Sequence, residues 1–186
     1  MMQSLCKFIL FRLWGWKVES SVPARSKCIL CVAPHTSNLD FIIGQLYYTA
    51  MGRKAQFLMK KDWFFWPLGV LLRKMGGIAV NRSRKTSLTD QLADIARTAH
   101  YFNLAVTPEG TRSLAPTWKR GFYFIAQKAN IPIQLYALDF KHRTIVCTKE
   151  IVPSQDMEAD LRTIMEYYRP YEGCARHPEK FSIEAL

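Results

Sequence analysis

The sequence predicts an α/β layered fold with a mostly parallel central sheet flanked by helices, and three observations lead there. Apolar runs of strand length stop abruptly at proline or polar turn residues. Segments whose apolar residues recur at helical spacing lie between those runs. The chain has 186 residues, enough to bury one sizeable core without metals or disulfides, so a single domain over 1–186 is expected.

Residues 1–18 carry Phe8, Ile9, Leu10, Phe11, Leu13, Trp14 and Trp16, interrupted by Lys7, Arg12 and Lys17. The stretch is too short and too charged to span a bilayer, which takes about 20 apolar residues. No small-residue cleavage site follows it, so a secretory signal is not expected. The pattern suits a membrane-surface helix, with tryptophans at headgroup depth and basic side chains turned toward anionic lipid. A helix packed on the domain is the alternative.

Cys28 to Ala33 is an apolar run ending at Pro34, which reads as a strand. Thr36, Ser37 and Asn38 are N-cap types, and Leu39, Ile42, Ile43 and Leu46 follow at helical spacing, predicting a helix to about Met51. Residues 63–74 look helical, and Trp63, Phe64, Phe65 and Trp66, closed by Arg73 and Lys74, suit either core or a surface that dips into lipid. A strand is expected over 77–80. Leu88, Leu92, Ile95, Ala96 and Ala99 then predict a helix over 87–101. Leu104 to Val106 reads as a buried strand, and Pro108-Glu109-Gly110 as a turn. A helix over 120–128, strands over 133–138 and 144–147, and a helix over 157–168 complete the order.

Lys and Arg total 26 against 15 Asp and Glu, a net charge of +11, which implies an anionic partner. The basic residues are spread out, with no RNP-like stretch, zinc-finger spacing or basic-region helix, so nucleic acid is not the expected partner. The five cysteines, at 6, 28, 31, 147 and 174, form no regular framework, which suggests reduced thiols in a cytosolic setting. Cys28 and Cys31 are three apart in a strand and should face opposite ways, as buried thiols and not as a shared ligand pair.

Chemistry concentrates after strands, where ligands gather in layered α/β folds. His35 precedes the expected cap Ser37, and Asp40 falls at the third helical position, so across the bend the carboxylate can reach the imidazole. An aspartate on one ring nitrogen fixes the tautomer and leaves the other free to accept a proton. Ser37-Asn38-Leu39-Asp40 also fits the serine-x-x-acid capping pattern, which would explain Asp40 without chemistry. Pro108-Glu109-Gly110-Thr111-Arg112 sets a glycine, a hydroxyl and a guanidinium after another strand, as an oxyanion or phosphate cradle needs. Asn81-Arg82 supplies a further guanidinium after the strand over 77–80. All three segments are expected on one rim of the sheet.

Four blocks in order resemble the lysophospholipid (glycerol-phosphate) acyltransferase superfamily. His35 to Asp40 matches its histidine-x-x-x-x-aspartate block, and Gly76-Gly77-Ile78-Ala79-Val80-Asn81-Arg82 its glycine-x-isoleucine-x-valine-x-arginine block. Pro108 to Arg112 matches the proline-glutamate-glycine-threonine-arginine block, and Ile131-Pro132-Ile133 the final block. The resemblance covers residues 27–148, and it implies an acyltransferase-like fold with that stretch as catalytic core. It implies that His35 is general base toward an acceptor hydroxyl and that Asp40 orients it and stabilises the imidazolium. Arg82, Glu109, Gly110, Thr111 and Arg112 would hold the acceptor's polar head, Pro132 would shape the site, and Lys60 with Lys61 would form the basic stretch between the first two blocks. The aromatic block at 63–66 could then wall an acyl-chain tunnel.

The implied reaction moves a fatty acyl group from acyl-CoA or acyl carrier protein to the free hydroxyl of a lysophospholipid of 1-acyl-glycerol-3-phosphate type, in phospholipid biosynthesis. No cofactor, metal or enzyme nucleophile is expected, in keeping with the absence of a Gly-x-Ser-x-Gly elbow. The expected setting is peripheral, on an anionic membrane surface at the cytoplasmic face. The same chemistry on a lyso-aminolipid acceptor, an ornithine or glycine lipid, is the nearest alternative; a non-catalytic basic binding module is the more distant one.

Overall fold

Alternation along one central strand, β2 (Lys27–Ala33), sorts the molecule into layers. In the computed structural model, which describes residues 2–80 and 87–183, Ile29, Cys31 and Ala33 face one hydrophobic core and Cys28 and Leu30 face the other. The two cysteines therefore stand on opposite faces, as the strand period requires, and both are buried free thiols.

The main sheet has the order β1-β7-β6-β2-β5, from β1 (Lys17–Ser20), β5 (Phe102–Val106), β6 (Ile133–Asp139) and β7 (Thr144–Ile151). Pairings β1–β7, β2–β6 and β2–β5 are parallel, and only the hairpin-linked β6–β7 is antiparallel. Helices α4 (Leu88–Thr98), α5 (Gly121–Ala129) and α6 (Met157–Tyr168) cover the Ile29 face, supplying Leu92, Phe122, Tyr123, Ile164 and Tyr168. Helix α2 (Asn38–Ala50) covers the other face with Ile43, Tyr47 and Tyr48. Burying an aliphatic or aromatic side chain of this kind stabilises the fold by about 1.5–3 kcal/mol each.

The N-terminal segment departs from the surface helix expected over 1–18. Helix α1 (Met2–Lys7) continues as a π-helical turn over Phe8–Leu13, and Lys17 and Val18 belong to β1, an edge strand paired with β7. Short strands with charged residues are how sheet edges avoid unwanted pairing, and Lys17 and Glu19 provide the charges here. The helical part packs on the domain along one side and leaves apolar side chains exposed along the other. Cys6, Leu10 and Trp16 are buried and Gln3 bonds the Ala50 carbonyl at the end of α2, while Leu5, Phe8 and Leu13 stay exposed. Among the described residues, no helix is long and apolar enough to cross a membrane.

A second, two-stranded parallel sheet holds β3 (Phe57–Lys60) and β4 (Gly77–Val80). Parallel neighbours need a crossover, which is α3 (Leu68–Met75). The helix expected over 63–74 is thus shorter: Lys61–Trp63 is a 3₁₀ turn, and α3 starts only after Pro67, because proline lacks the N–H that an ongoing helix would use. Gly76 ends α3 at φ +104°, where a Cβ would stand 2.5 Å from the Ala55 carbonyl oxygen. The strand expected over 77–80 lies in this second sheet, which adjoins β5 through a parallel bridge between Gln56 and Leu104. Asn81 and Arg82 lie outside the described residues.

Candidate active site

The loop from Pro34 to Ser37 leaves the carboxyl end of β2 and enters α2 with Ser37 as N-cap in extended conformation. Asp40, at the third helical position, turns back over it. Its Oδ2 accepts the main-chain N–H of Thr36 and of Ser37, each at 2.8 Å, and its Oδ1 accepts the Ser37 hydroxyl at 2.7 Å. The same Oδ2 lies 3.1 Å from His35 Nδ1. Capping acid and imidazole partner are therefore one carboxylate, and the two readings of Asp40 describe the same geometry. The side chain is only 1% exposed. Burial alone would raise its pKa, but hydrogen bonds from the His35 ring and from the Ser37 side chain and backbone, with attraction from His35, hold it below the usual value. Asp40 Oδ2 thus faces Nδ1 of the imidazole, the arrangement in which a carboxylate orients a histidine ring.

His35, 18% exposed, lines a cavity of about 1180 Å³, somewhat larger than the roughly 300–1,000 Å³ usual for small-molecule pockets. Leu30, Tyr47, Phe57, Leu92 and Ile125 make much of its wall apolar, and Arg112 and Lys119 also line it. Arg112 Nη1 bonds the side-chain oxygen of Asn38, in the first turn of α2, which ties the second loop to the first. That second loop, 107–120, follows β5. Gly110 adopts φ +65° in it, and a Cβ there would stand 3.0 Å from Lys119 Cγ, so glycine lets the lysine stem lie against the turn. The Lys119 N–H closes the loop on the Pro108 carbonyl at 2.7 Å, and Trp118 is buried against Tyr168 and Phe181.

The structure brings together His35, Asp40, Gly110, Thr111 and Arg112 around this cavity. Three other expected site residues lie elsewhere. Glu109 is buried behind the His35 loop, where its Oε1 accepts the His35 main-chain N–H at 2.7 Å, and it does not line the cavity. Lys60 ends β3 with an exposed side chain and is not in the wall either. Pro132 precedes β6 at the far end of the sheet. Its carbonyl accepts the Ile29 N–H, four residues and on the order of 13 Å of strand from Ala33, so it is remote from His35. Sequence reasoning missed Lys119 and the side-chain role of Asn38. Asn38 was readable only as a capping type, and Lys119 reaches the site through a loop whose path no spacing rule foretells.

The sequence model of the family described as Acyltransferase matches residues 17–137. No curated protein sequence matches the chain. Among solved structures, the 1-acyl-sn-glycerophosphate (LPA) acyltransferase PlsC from Thermotoga maritima is similar, with a TM-score of 0.64 at 16% identity over 97% of this chain and 80% of that one. At that identity the likeness shows a common fold. With most of the chain matched by the family model, including the His35 and Arg112 loops, this protein belongs to the acyltransferase family.

Proposed function

We propose that the protein is an O-acyltransferase that esterifies the free hydroxyl of a lysophospholipid of the 1-acyl-glycerol-3-phosphate type, with acyl-CoA or acyl carrier protein as donor and no bound cofactor. One observation carries this reading: an imidazole held by a buried carboxylate opens on the same largely apolar cavity as two cationic side chains, Arg112 and Lys119. His35 Nε2 takes the proton from the acceptor hydroxyl as its oxygen attacks the thioester carbonyl. Asp40 stabilises the imidazolium that forms. Collapse of the tetrahedral adduct breaks the carbon–sulfur bond, and the imidazolium returns its proton to the departing thiolate. Arg112 and Lys119 balance the charge of a phosphate on the acceptor, and the apolar wall takes up hydrocarbon.

The protein works from a membrane surface in this reading. Trp63, Phe65, Trp66, Val70 and Leu71 are exposed around α3, Trp66 by 84%, with Lys61, Arg73 and Lys74 among them. Leu5, Phe8 and Leu13 are exposed on the N-terminal helix. Aromatic and aliphatic side chains flanked by cations suit the interface of an anionic leaflet.

Purified protein, radiolabelled oleoyl-CoA and lysophosphatidic acid test the reaction, with a lyso-ornithine lipid as second acceptor. Labelled phosphatidic acid is expected. Transfer only to the aminolipid would move the reading to that acceptor, and transfer to neither would refute it. Flotation with phosphatidylglycerol vesicles and with phosphatidylcholine vesicles tests the surface, and binding to the anionic vesicles is expected to weaken with salt.

A further inference from the structure

We propose that Glu109 is a positioning residue, whose carboxyl holds the His35 main chain so that the imidazole stays paired with Asp40 beside the cavity, and that it does not bind the acceptor's anionic head. The proposal rests on the general-base reading of His35. Three successive main-chain donors leave β2, and two carboxyl groups take all of them: Thr36 and Ser37 donate to Asp40, and His35 donates to Glu109 at 2.7 Å. Asp40 belongs to the helix that follows, whereas Glu109 comes from a loop 74 residues along the chain. Asp40 can orient the ring, but it cannot set where the His35 loop stands relative to the Arg112 loop. Glu109 can, because it precedes Arg112 by three residues in the same turn and grips His35 directly. Arg112 in turn bonds Asn38, so the two loops are tied at both ends.

A head-group role fits this environment poorly. Glu109 is 4% exposed, lies outside the cavity wall, and keeps its Oε2 buried without a hydrogen-bond partner among the described residues. Burial pushes its pKa up to about 8 against the pull of backbone hydrogen bonds, with repulsion from Asp40 adding to the rise. The raised pKa favours the protonated acid, which still offers an acceptor oxygen to the His35 N–H.

The test uses the full chain with Glu109→Gln, which keeps a neutral acceptor oxygen, and Glu109→Ala, which removes it. Nitrogen-15 spectra of the histidine rings read the His35 tautomer, and steady-state rates with oleoyl-CoA and lysophosphatidic acid read turnover. Glu109→Gln is expected to show the parent tautomer and a kcat within about threefold. Glu109→Ala is expected to show mixed tautomers and a kcat lower by about 10- to 100-fold with KM for lysophosphatidic acid unchanged, as misplacement of a reacting group produces. If Glu109→Ala does not fold, Glu109→Met fills the volume without an acceptor and takes its place. An unaltered His35 tautomer in the variant without an acceptor, or a raised KM with intact kcat, would overturn the proposal. His35→Ala with undiminished kcat would instead remove the general-base reading, and the ring spectra would still report on the Glu109 contact.

Discussion

Among the described residues, two histidine–aspartate pairs occur near the carboxyl ends of β2 and β6, and they share their local geometry but not their surroundings. His35 Nδ1 lies 3.1 Å from Asp40, and His142 Nδ1 lies 2.7 Å from Asp139. Both aspartates also accept a main-chain N–H from the adjoining turn. His142, however, is 63% exposed in the turn between β6 and β7, and it does not line the cavity. A carboxylate that orients an imidazole is therefore ordinary turn chemistry. What makes the first pair a candidate base is its surroundings: a largely apolar cavity, two cations in the wall, and a second carboxyl fixing the loop.

The largest expected effect separates the pairs directly. Removing a general base costs about 10²–10⁴ in rate, so His35→Ala should lower turnover by that factor with the fold retained. His142→Ala should leave turnover within about twofold, since surface changes away from a site rarely matter. Equal losses in the two variants, measured by acyl transfer, would erase the distinction.

Asp40→Asn comes next, with turnover lower by about 10² because an amide cannot stabilise the imidazolium. Asp139→Asn should leave turnover unchanged. Acid titration sharpens the contrast. Asp40 has a folded-state pKa below its unfolded value of 3.8, so it contributes stability that is present above that pH and is lost as pH falls through the lower folded value. The parent should therefore lose stability steeply below pH 4, and Asp40→Asn should show a flatter acid limb by thermal melting.

Arginines flank both pairs. Arg112 lines the cavity, whereas Arg143 donates to the Trp14 carbonyl at 3.3 Å. Losing a charge-assisted contact costs about 1.5–3 kcal/mol. Arg112→Ala should then raise KM for lysophosphatidic acid by at least about tenfold, and Arg143→Ala should not. An unchanged KM in Arg112→Ala would point to an acceptor without a phosphate.

The first of the two pairs was legible in the sequence and the second was not, and what escaped has physical causes. Strand β2, the Ser37 cap, α2 and α6 follow from local periodicity and capping, which depend on neighbours in the chain. The pairing of Asp40 with His35 was legible for the same reason, since both lie within one turn of a helix start. Strand β3 was missed because Phe57 to Lys60 is a four-residue run with no turn signal beside it, whereas its partner β4 was expected at the residues it occupies. Glu109 was read as a ligand through the family resemblance, which assigns the whole Pro108 to Arg112 block to the acceptor's polar head. Its burial depends on loop 107–120 folding back with Trp118 as anchor, a tertiary fact with no local signature.

The smallest effect tests the feature that the His142 turn does not share, the second carboxyl behind the loop. Glu109 has a folded-state pKa raised from 4.5 to about 8, mainly by burial, and the carboxyl facing it is Asp40. The native state therefore holds more protons than the unfolded chain between those values, so stability falls as pH rises through that window and is flat above it. Glu109→Gln does not titrate. Relative to the parent it should gain stability progressively from pH 4.5 to pH 8, seen in thermal melting as a Tm difference that widens across that range. A constant difference between parent and variant across that range would mean that the Glu109 carboxyl is solvated, and the rigid backing that sets the His35 turn apart from the His142 turn would be gone.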